Sequence, residues 1–269
     1  MKIGIISLGL IGGSLFKCLT QTTNEIYAVT RNEKTIQEAI SLTPYVSNDL
    51  NTLKDCDIIF VASPINKTLE ILDQLNNIVK KECIVLDCAS VKQFVMNKNY
   101  NYTFIGSHPM AGTENNGYGS SFKELFVGAK WVLTPNEKTA KDKIEKAKTI
   151  IEQTGATVII ADAKEHDKAV ALISHMPLLL SQALFNTVKE NPLAMKLASS
   201  GFRDMTRLTM SNLEMAKDMR EYNFDNINNA LTQLNQSLDE LKNSQNAQIF
   251  EDLKDSRQKM YSSDGKNIV

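Results

Sequence analysis

Residues 2–14 read K-I-G-I-I-S-L-G-L-I-G-G-S. A short, mostly apolar run enters a glycine-rich turn, and a helical pattern follows without a gap. In that position glycines have a mechanical meaning, because a pyrophosphate set against a helix start needs backbone with no side chain in the way. The amides of the first helical turn then face the anion. The stretch nearly matches G-x-G-x-x-G: Gly9 permits close approach, Gly12 lets the helix pack on the strand, and Ser7 stands where the first glycine is usual. Gly9, Leu10, Ile11 and Gly12 are therefore expected to hold a dinucleotide. Glycines that serve helix packing alone are the bland alternative, but strand, loop, helix and a second strand occur here in order.

Outward from this loop, apolar runs alternate with helical patterns as far as about Ile160: E-I-Y-A-V-T, D-I-I-F-V-A, C-I-V-L-D, Y-T-F-I-G, K-W-V-L-T and A-T-V-I-I. Runs that are continuous rather than alternating suit strands covered on both faces, hence a mostly parallel sheet of βαβ units. After Ile160 long helical patterns take over: Glu165 to Asn191, Met205 to Met219, Phe224 to Ser244, and Ala247 to about Tyr261. The expected fold is an α/β Rossmann-type doubly wound domain, residues 1–161, followed by an all-α C-terminal domain, residues 162–269. The stretch Ala169 to Phe185 is apolar nearly all round, as a helix buried by its own domain or by a second subunit would be. A homodimer through the helical half is expected.

Composition removes several functional classes. Thirty basic and 31 acidic side chains nearly cancel, and no block of like charge nominates nucleic acid or a membrane surface. Cys18, Cys56, Cys83 and Cys88 show no C-x-x-C pairing and no metal-spaced histidines, which fits reduced thiols of a cytoplasmic protein without a metal site. The N-terminal apolar run is broken by Gly9, Gly12 and Gly13, unlike an export signal. The longest apolar candidate for a membrane span, Ala169 to Leu180, is short and carries Ser174 and His175, so a soluble protein is expected.

The second strand ends in A-V-T-R-N-E. An NAD-selective fold usually presents a carboxylate there to the ribose 2′-hydroxyl, whereas here Thr30 occupies that place and Arg31 beside it could pair with a 2′-phosphate. NADP is thus expected to be accepted, and preferred weakly over NAD, unless Arg31 is only solvated near Glu33. Thr30, Arg31 and Asn32 are counted with the cofactor-binding residues, as are Ser63 and Pro64 just after the strand D-I-I-F-V-A.

D-C-A-S-V-K, residues 87–92, follows one strand, and G-S-H-P-M-A-G-T-E-N-N-G, residues 106–117, ends the next. Both should emerge at the carboxyl edge of the sheet, where doubly wound folds bind ligands. Ser90 and His108 can therefore converge, delivering a hydroxyl and an imidazole to a nicotinamide.

Together with S-L-G-L-I-G-G-S, E-H-D-K-A-V-A-L-I-S-H-M-P (165–177) and G-F-R-D-M-T-R (201–207), these motifs resemble the prephenate and arogenate dehydrogenases of tyrosine biosynthesis. They occur in family order over residues 1 to about 210, and the histidine and R-D-M-T-R motifs are the specific ones. The resemblance implies oxidative decarboxylation of a cyclohexadienyl substrate. It also implies that His108 accepts the proton of the ring hydroxyl and that Ser90 hydrogen-bonds and orients it. A purely structural histidine is the alternative at position 108.

His166 and His175 are nine residues apart, half a turn out of phase at about 100° per residue, so one straight helix cannot aim both at one site. Unless Pro177 bends the helix, only one is expected to function. By resemblance that one is His175, contacting substrate, while His166 is left as a helix-start residue. Arg207, one turn from Arg203, is by resemblance the anchor for the ring carboxylate, with Asp204 nearby; an Asp204–Arg207 ion pair is the competing reading. Thr113 and Glu114 are expected at the mouth of the pocket, with Glu114 a candidate gate towards Arg207.

Two rivals stand beside this reading. One is a β-hydroxyacid-type dehydrogenase, which usually relies on a catalytic lysine; the other is a dinucleotide-sensing regulator without turnover. No carboxyl-terminal regulatory module is expected in the polar remainder after Ser244, and inhibition by tyrosine is expected, if at all, at the active site. The choice between prephenate and arogenate, and the absolute oligomeric state, are left open by the residues.

Overall fold

The computed structural model describes residues 1–113 and 115–262. Its first half is one eight-stranded sheet in the order β3-β2-β1-β4-β5-β6-β7-β8. The strands are β1 (Lys2–Ile6), β2 (Glu25–Val29), β3 (Val46–Ser47), β4 (Ile58–Val61), β5 (Ile84–Asp87), β6 (Thr103–Pro109), β7 (Lys130–Thr134) and β8 (Thr157–Ile160). Every pairing is parallel except β6 with β7, where His108 lies opposite Val132. The seven apolar runs are all strands; the two-residue β3 carried no such run.

Helices cover both faces of the sheet: α1 (Leu10–Leu19), α2 (Glu33–Ala39), α3 (Ile65–Leu75), the single turn α4 (Gln93–Met96) and α5 (Lys141–Glu152). Two apolar layers result. One joins Ile3, Ile5, Leu15, Phe16, Phe60 and Trp131, and the other Ile59, Val61, Leu72, Val85 and Phe104. Alternate residues of one strand, such as Ile59 and Phe60, feed opposite layers, so these central strands read as unbroken apolar runs.

Beyond β8 the described chain is helical: α6 (Ala163–Val170), a π-turn at Ala171–His175, α7 (Met176–Val188), α8 (Pro192–Leu197), α9 (Ser200–Thr206), a 3-10 turn at Arg207–Met210, α10 (Leu213–Tyr222), α11 (Phe224–Asn243) and α12 (Gln248–Ser262). The expected single helix from Met205 to Met219 is broken: α9 ends at Thr206, a 3-10 turn follows, and Ser211 is extended (φ −62°, ψ 157°) before α10 begins. Helix α6, the π-turn and α7 form one continuous rod, Ala163–Val188, long and apolar enough by length and composition to cross a membrane. That corrects the expectation of a short apolar run. The rod carries the buried His166, Asp167 and His175 and packs Ala171 against Ile227 and Ala230 of α11, while only 28% of its apolar window is buried within the single chain.

Candidate active site

The phosphate loop follows β1. Ser7, in the place of the first glycine, adopts the left-handed φ of 71° that glycine takes freely, and its amide donates to the Val29 carbonyl at 2.8 Å. A Cβ on Gly12 would stand 2.0 Å from the Ser7 carbonyl oxygen, so the close crossing of helix and loop excludes any side chain there. At Gly9 an added Cβ would meet nothing within 4 Å. Gly9 is also the N-cap of α1 and no side chain bonds to that helix start, which leaves open backbone and amides suited to a pyrophosphate. Chain order reverses between β1 and β4, so this loop and Ala62–Pro64 flank the switch point where doubly wound sheets take ligands. Pro64 caps α3, and Ser63 Oγ pairs with Thr68 Oγ1 at 3.2 Å. At the end of β2, Thr30 is buried and Arg31 exposed. The Asn32 side-chain oxygen is engaged, accepting from Thr35 N (3.1 Å) to cap α2.

Along the same edge β5 ends at Asp87 and β6 carries on to His108. Beneath them lies a fully buried ion pair. Lys92 Nζ reaches the Asp87 carboxylate and donates to the Ser107 carbonyl at 2.6 Å, while Asp87 accepts from the amides of Ala89 (3.0 Å) and Ser107 (2.9 Å). These bonds tie the turn carrying Ser90 to the strand carrying His108.

His108 is half-buried. Burial first, then the neighbouring His166, Lys92 and His175, hold its pKa well below the ordinary 6.5, so the imidazole is neutral at neutral pH. Its Nδ1 lies 2.9 Å from His166 Nε2, with ring centroids 5.1 Å apart. The orienting bond expected from Ser90 is not present: Ser90 Oγ is buried without a partner, and His166 occupies the Nδ1 side of the ring. His166 Nδ1 in turn lies 2.8 Å from Asp167 Oδ1. The Asp167 carboxylate also accepts from Lys92 N (2.7 Å) and Gln93 N (2.8 Å), docking α6 on the start of α4.

His166 does lie in the first turn of α6, its amide donating to the carbonyl of the Asp162 cap at 2.8 Å, but its side chain is buried in the site rather than left outside it. The straight-helix phase rule fails because the π-turn at Ala171–His175 widens the helix by i→i+5 bonding between the two histidines. His175 is 1% exposed and joins the same network through Asn223, whose side-chain amide donates to the Asp167 carbonyl (2.8 Å) and to His175 Nδ1 (3.1 Å). With Nδ1 accepting, His175 carries its proton on Nε2, and that atom is buried without a partner. Burial lowers the His175 pKa to about 4, against the opposing pull of Asp167. Sequence reasoning missed His166, Asp167, Lys92 and Asn223 as parts of the site. The adjacent H-D pair in E-H-D-K was the available signal, whereas nothing local in the sequence marks Asn223.

Arg207 opens the 3-10 turn and is exposed. Among the described residues it has no ion pair with Asp204, which instead pairs with Arg203 (3.2 Å). Thr113 is exposed, its Oγ1 accepting from Asn115 N at 3.2 Å. Glu114, and with it the expected gate, lies outside the described residues. No cluster of potential metal ligands occurs among the described residues.

Two family models match the chain: the nucleotide-binding domain of prephenate dehydrogenase over residues 17–160 and the dimerization domain of prephenate dehydrogenase over residues 162–257. Among solved structures, Synechocystis arogenate dehydrogenase is 33% identical with TM-score 0.83, covering 100% of both chains. Prephenate dehydrogenase from A. aeolicus, in complex with hydroxyphenyl propionate and NAD+, is 27% identical with TM-score 0.84 and 98% coverage of each chain. The curated prephenate dehydrogenase of Bacillus subtilis is 29% identical over 238 residues, 83% of this chain and 64% of that protein. The chain thus matches less than two thirds of the length of that relative. On the two domain matches, and on a structural likeness that runs the whole length of the chain, the protein belongs to the prephenate/arogenate dehydrogenase family.

Proposed function

We propose that the chain is an NAD(P)-dependent prephenate dehydrogenase, converting prephenate to 4-hydroxyphenylpyruvate by oxidative decarboxylation. The observation that carries this reading is His108, a neutral, half-buried imidazole at the carboxyl edge of the sheet that also bears the phosphate loop. When bound, the nicotinamide supplies hydride acceptance from C4 of the ring. The chain's own groups do the rest. His108 takes the proton of the C4 hydroxyl at Nε2, because Nδ1 is engaged by His166. Ser90 Oγ, buried and unpaired, is suited to bond that same hydroxyl, and the unpaired Nε2–H of His175 to bond a substrate oxygen. The exposed Arg207 guanidinium anchors the ring carboxylate. Carbon dioxide leaves as the ring becomes aromatic.

Arogenate is the second reading, supported by the full-length likeness to an arogenate dehydrogenase; a cyclohexadienyl dehydrogenase of Zymomonas mobilis is also among the relatives. NADP as the preferred cofactor rests on Thr30 and the exposed Arg31. Replacing Arg31 by Ala should then raise the KM for NADP selectively, and equal effects on both cofactors would remove the preference. The chain works as a cytoplasmic homodimer in this reading. Its helical half, matched to a dimerization domain, exposes Ile173, Leu193, Leu197 and Leu213, each at least 66% accessible in a single chain. Sedimentation at micromolar concentration should give twice the chain mass.

A further inference from the structure

The three histidines of this chain all lie in one hydrogen-bonded network, and its geometry limits where each proton can sit. An ionised carboxylate only accepts hydrogen bonds. Asp167, already accepting from the Lys92 and Gln93 amides, must therefore receive His166 Nδ1–H across 2.8 Å. In a neutral His166 this leaves a lone pair on Nε2. The ring 2.9 Å away can then only donate to it, from His108 Nδ1. His108 Nε2 is left with the lone pair, and Nε2 is the nitrogen not committed to α6.

We propose that His166 is a positioning residue, which, backed by Asp167, locks His108 in the Nδ1–H tautomer so that Nε2 is the atom available to take a proton. This rests on the reading of His108 as the base and extends it to a residue that acts through His108. The network accounts for why Asp167 sits where it does: its carboxylate joins α6 to the turn that carries Ser90 and Lys92, so the lock and the sheet edge move as one piece. Had His166 been an imidazolium, its Nε2–H would donate to His108 Nδ1, and His108 would present Nε2–H, a donor, to the site. The two states make opposite predictions about one ring.

The test is ring-nitrogen NMR on the intact protein labelled with 15N-histidine near neutral pH, assigned with His108→Gln and His175→Gln variants. With three histidines the spectrum is resolvable ring by ring. The expected result is Nδ1–H for His108 and His166 and Nε2–H for His175. Finding Nε2–H on His108 overturns the proposal without any reference to turnover. Kinetics supply the second arm. His166→Leu should lower kcat about 10²-fold with KM within about twofold, and His166→Gln, whose side-chain oxygen can accept from His108 Nδ1–H, should recover at least about tenfold of that loss. Parent-like kcat in His166→Leu beside an inactive His108→Gln would sink the lock and leave the base standing. Activity in His108→Gln would remove the base reading itself.

Discussion

Gly9, the cap of α1, and Gly12, in its first turn, sit three residues apart, yet the structure assigns them separable costs. A Cβ at Gly12 would lie 2.0 Å from the Ser7 carbonyl oxygen and 3.0 Å from Ala62 Cβ. The first distance is about 1.3 Å short of a close carbon–oxygen contact of ~3.3 Å, and it is backbone that must yield. Overpacking against side chains costs about 1–3 kcal/mol, and a backbone obstacle puts Gly12→Ala at the upper end, roughly 3 kcal/mol. For a chain of this size that is a fall in Tm on the order of 10 °C. At Gly9 the new Cβ would meet nothing within 4 Å, and its extended φ and ψ of −85° and −150° suit alanine. Gly9→Ala should leave Tm unchanged within about 2 °C. It should still weaken NAD and NADP by at least ~10-fold, about 1.4 kcal/mol, because the methyl occupies the space through which the backbone approaches the pyrophosphate. Thermal scans without cofactor and calorimetric titration with each dinucleotide separate the two effects. Parent-like affinity in Gly9→Ala would show that the phosphates do not seat on this loop, and parent-like Tm in Gly12→Ala would refute the crossing geometry.

Lys92 and Asp87 are both 0% exposed, so Lys92→Met strands a buried carboxylate and should cost about 3–5 kcal/mol; a Tm within about 2 °C of the parent in a thermal scan would contradict this. His175 has a folded-state pKa of about 4 against ~6.5 unfolded, so the unfolded chain binds more protons between those values, and stability should fall as pH drops through that window, by on the order of 3 kcal/mol. Denaturant titrations from pH ~7 to ~4 should show that loss, shallower in His175→Gln; identical slopes would argue against it. Arg207→Ala should raise the substrate KM about 10- to 100-fold with kcat little changed, since a carboxylate anchor acts already in the ground state, and an unchanged KM would remove it as the anchor.

The central strands were legible in the sequence because they are buried on both faces and read as unbroken apolar runs, and the edge strand β8 carried such a run although its residues are largely exposed. Only β3, with two residues, lacked that signal. The helical half was read less well. The break between α9 and α10 is a 3-10 turn followed by an extended Ser211, a backbone change that apolar periodicity does not register. The largest difference in the site has one cause. The phase rule for His166 and His175 presumes a straight helix, and a single π-turn between them lets both enter one network. Ser90 lies at the expected edge but makes no bond to His108, because strand order locates a residue to within a loop and not to a particular nitrogen. Asn223 lies 48 residues beyond His175 in sequence and only the fold brings its amide there.

The most direct test of the whole account is nicotinamide reduction, followed by absorbance, with the purified protein and prephenate or arogenate, each with NAD and NADP, beside the His108→Gln variant. Turnover in at least one pairing, lost by about 10²-fold or more in the variant, is the predicted result. Silence in all four pairings from folded protein that binds cofactor would contradict the enzyme and favour a dinucleotide sensor; turnover undiminished in His108→Gln would contradict the base.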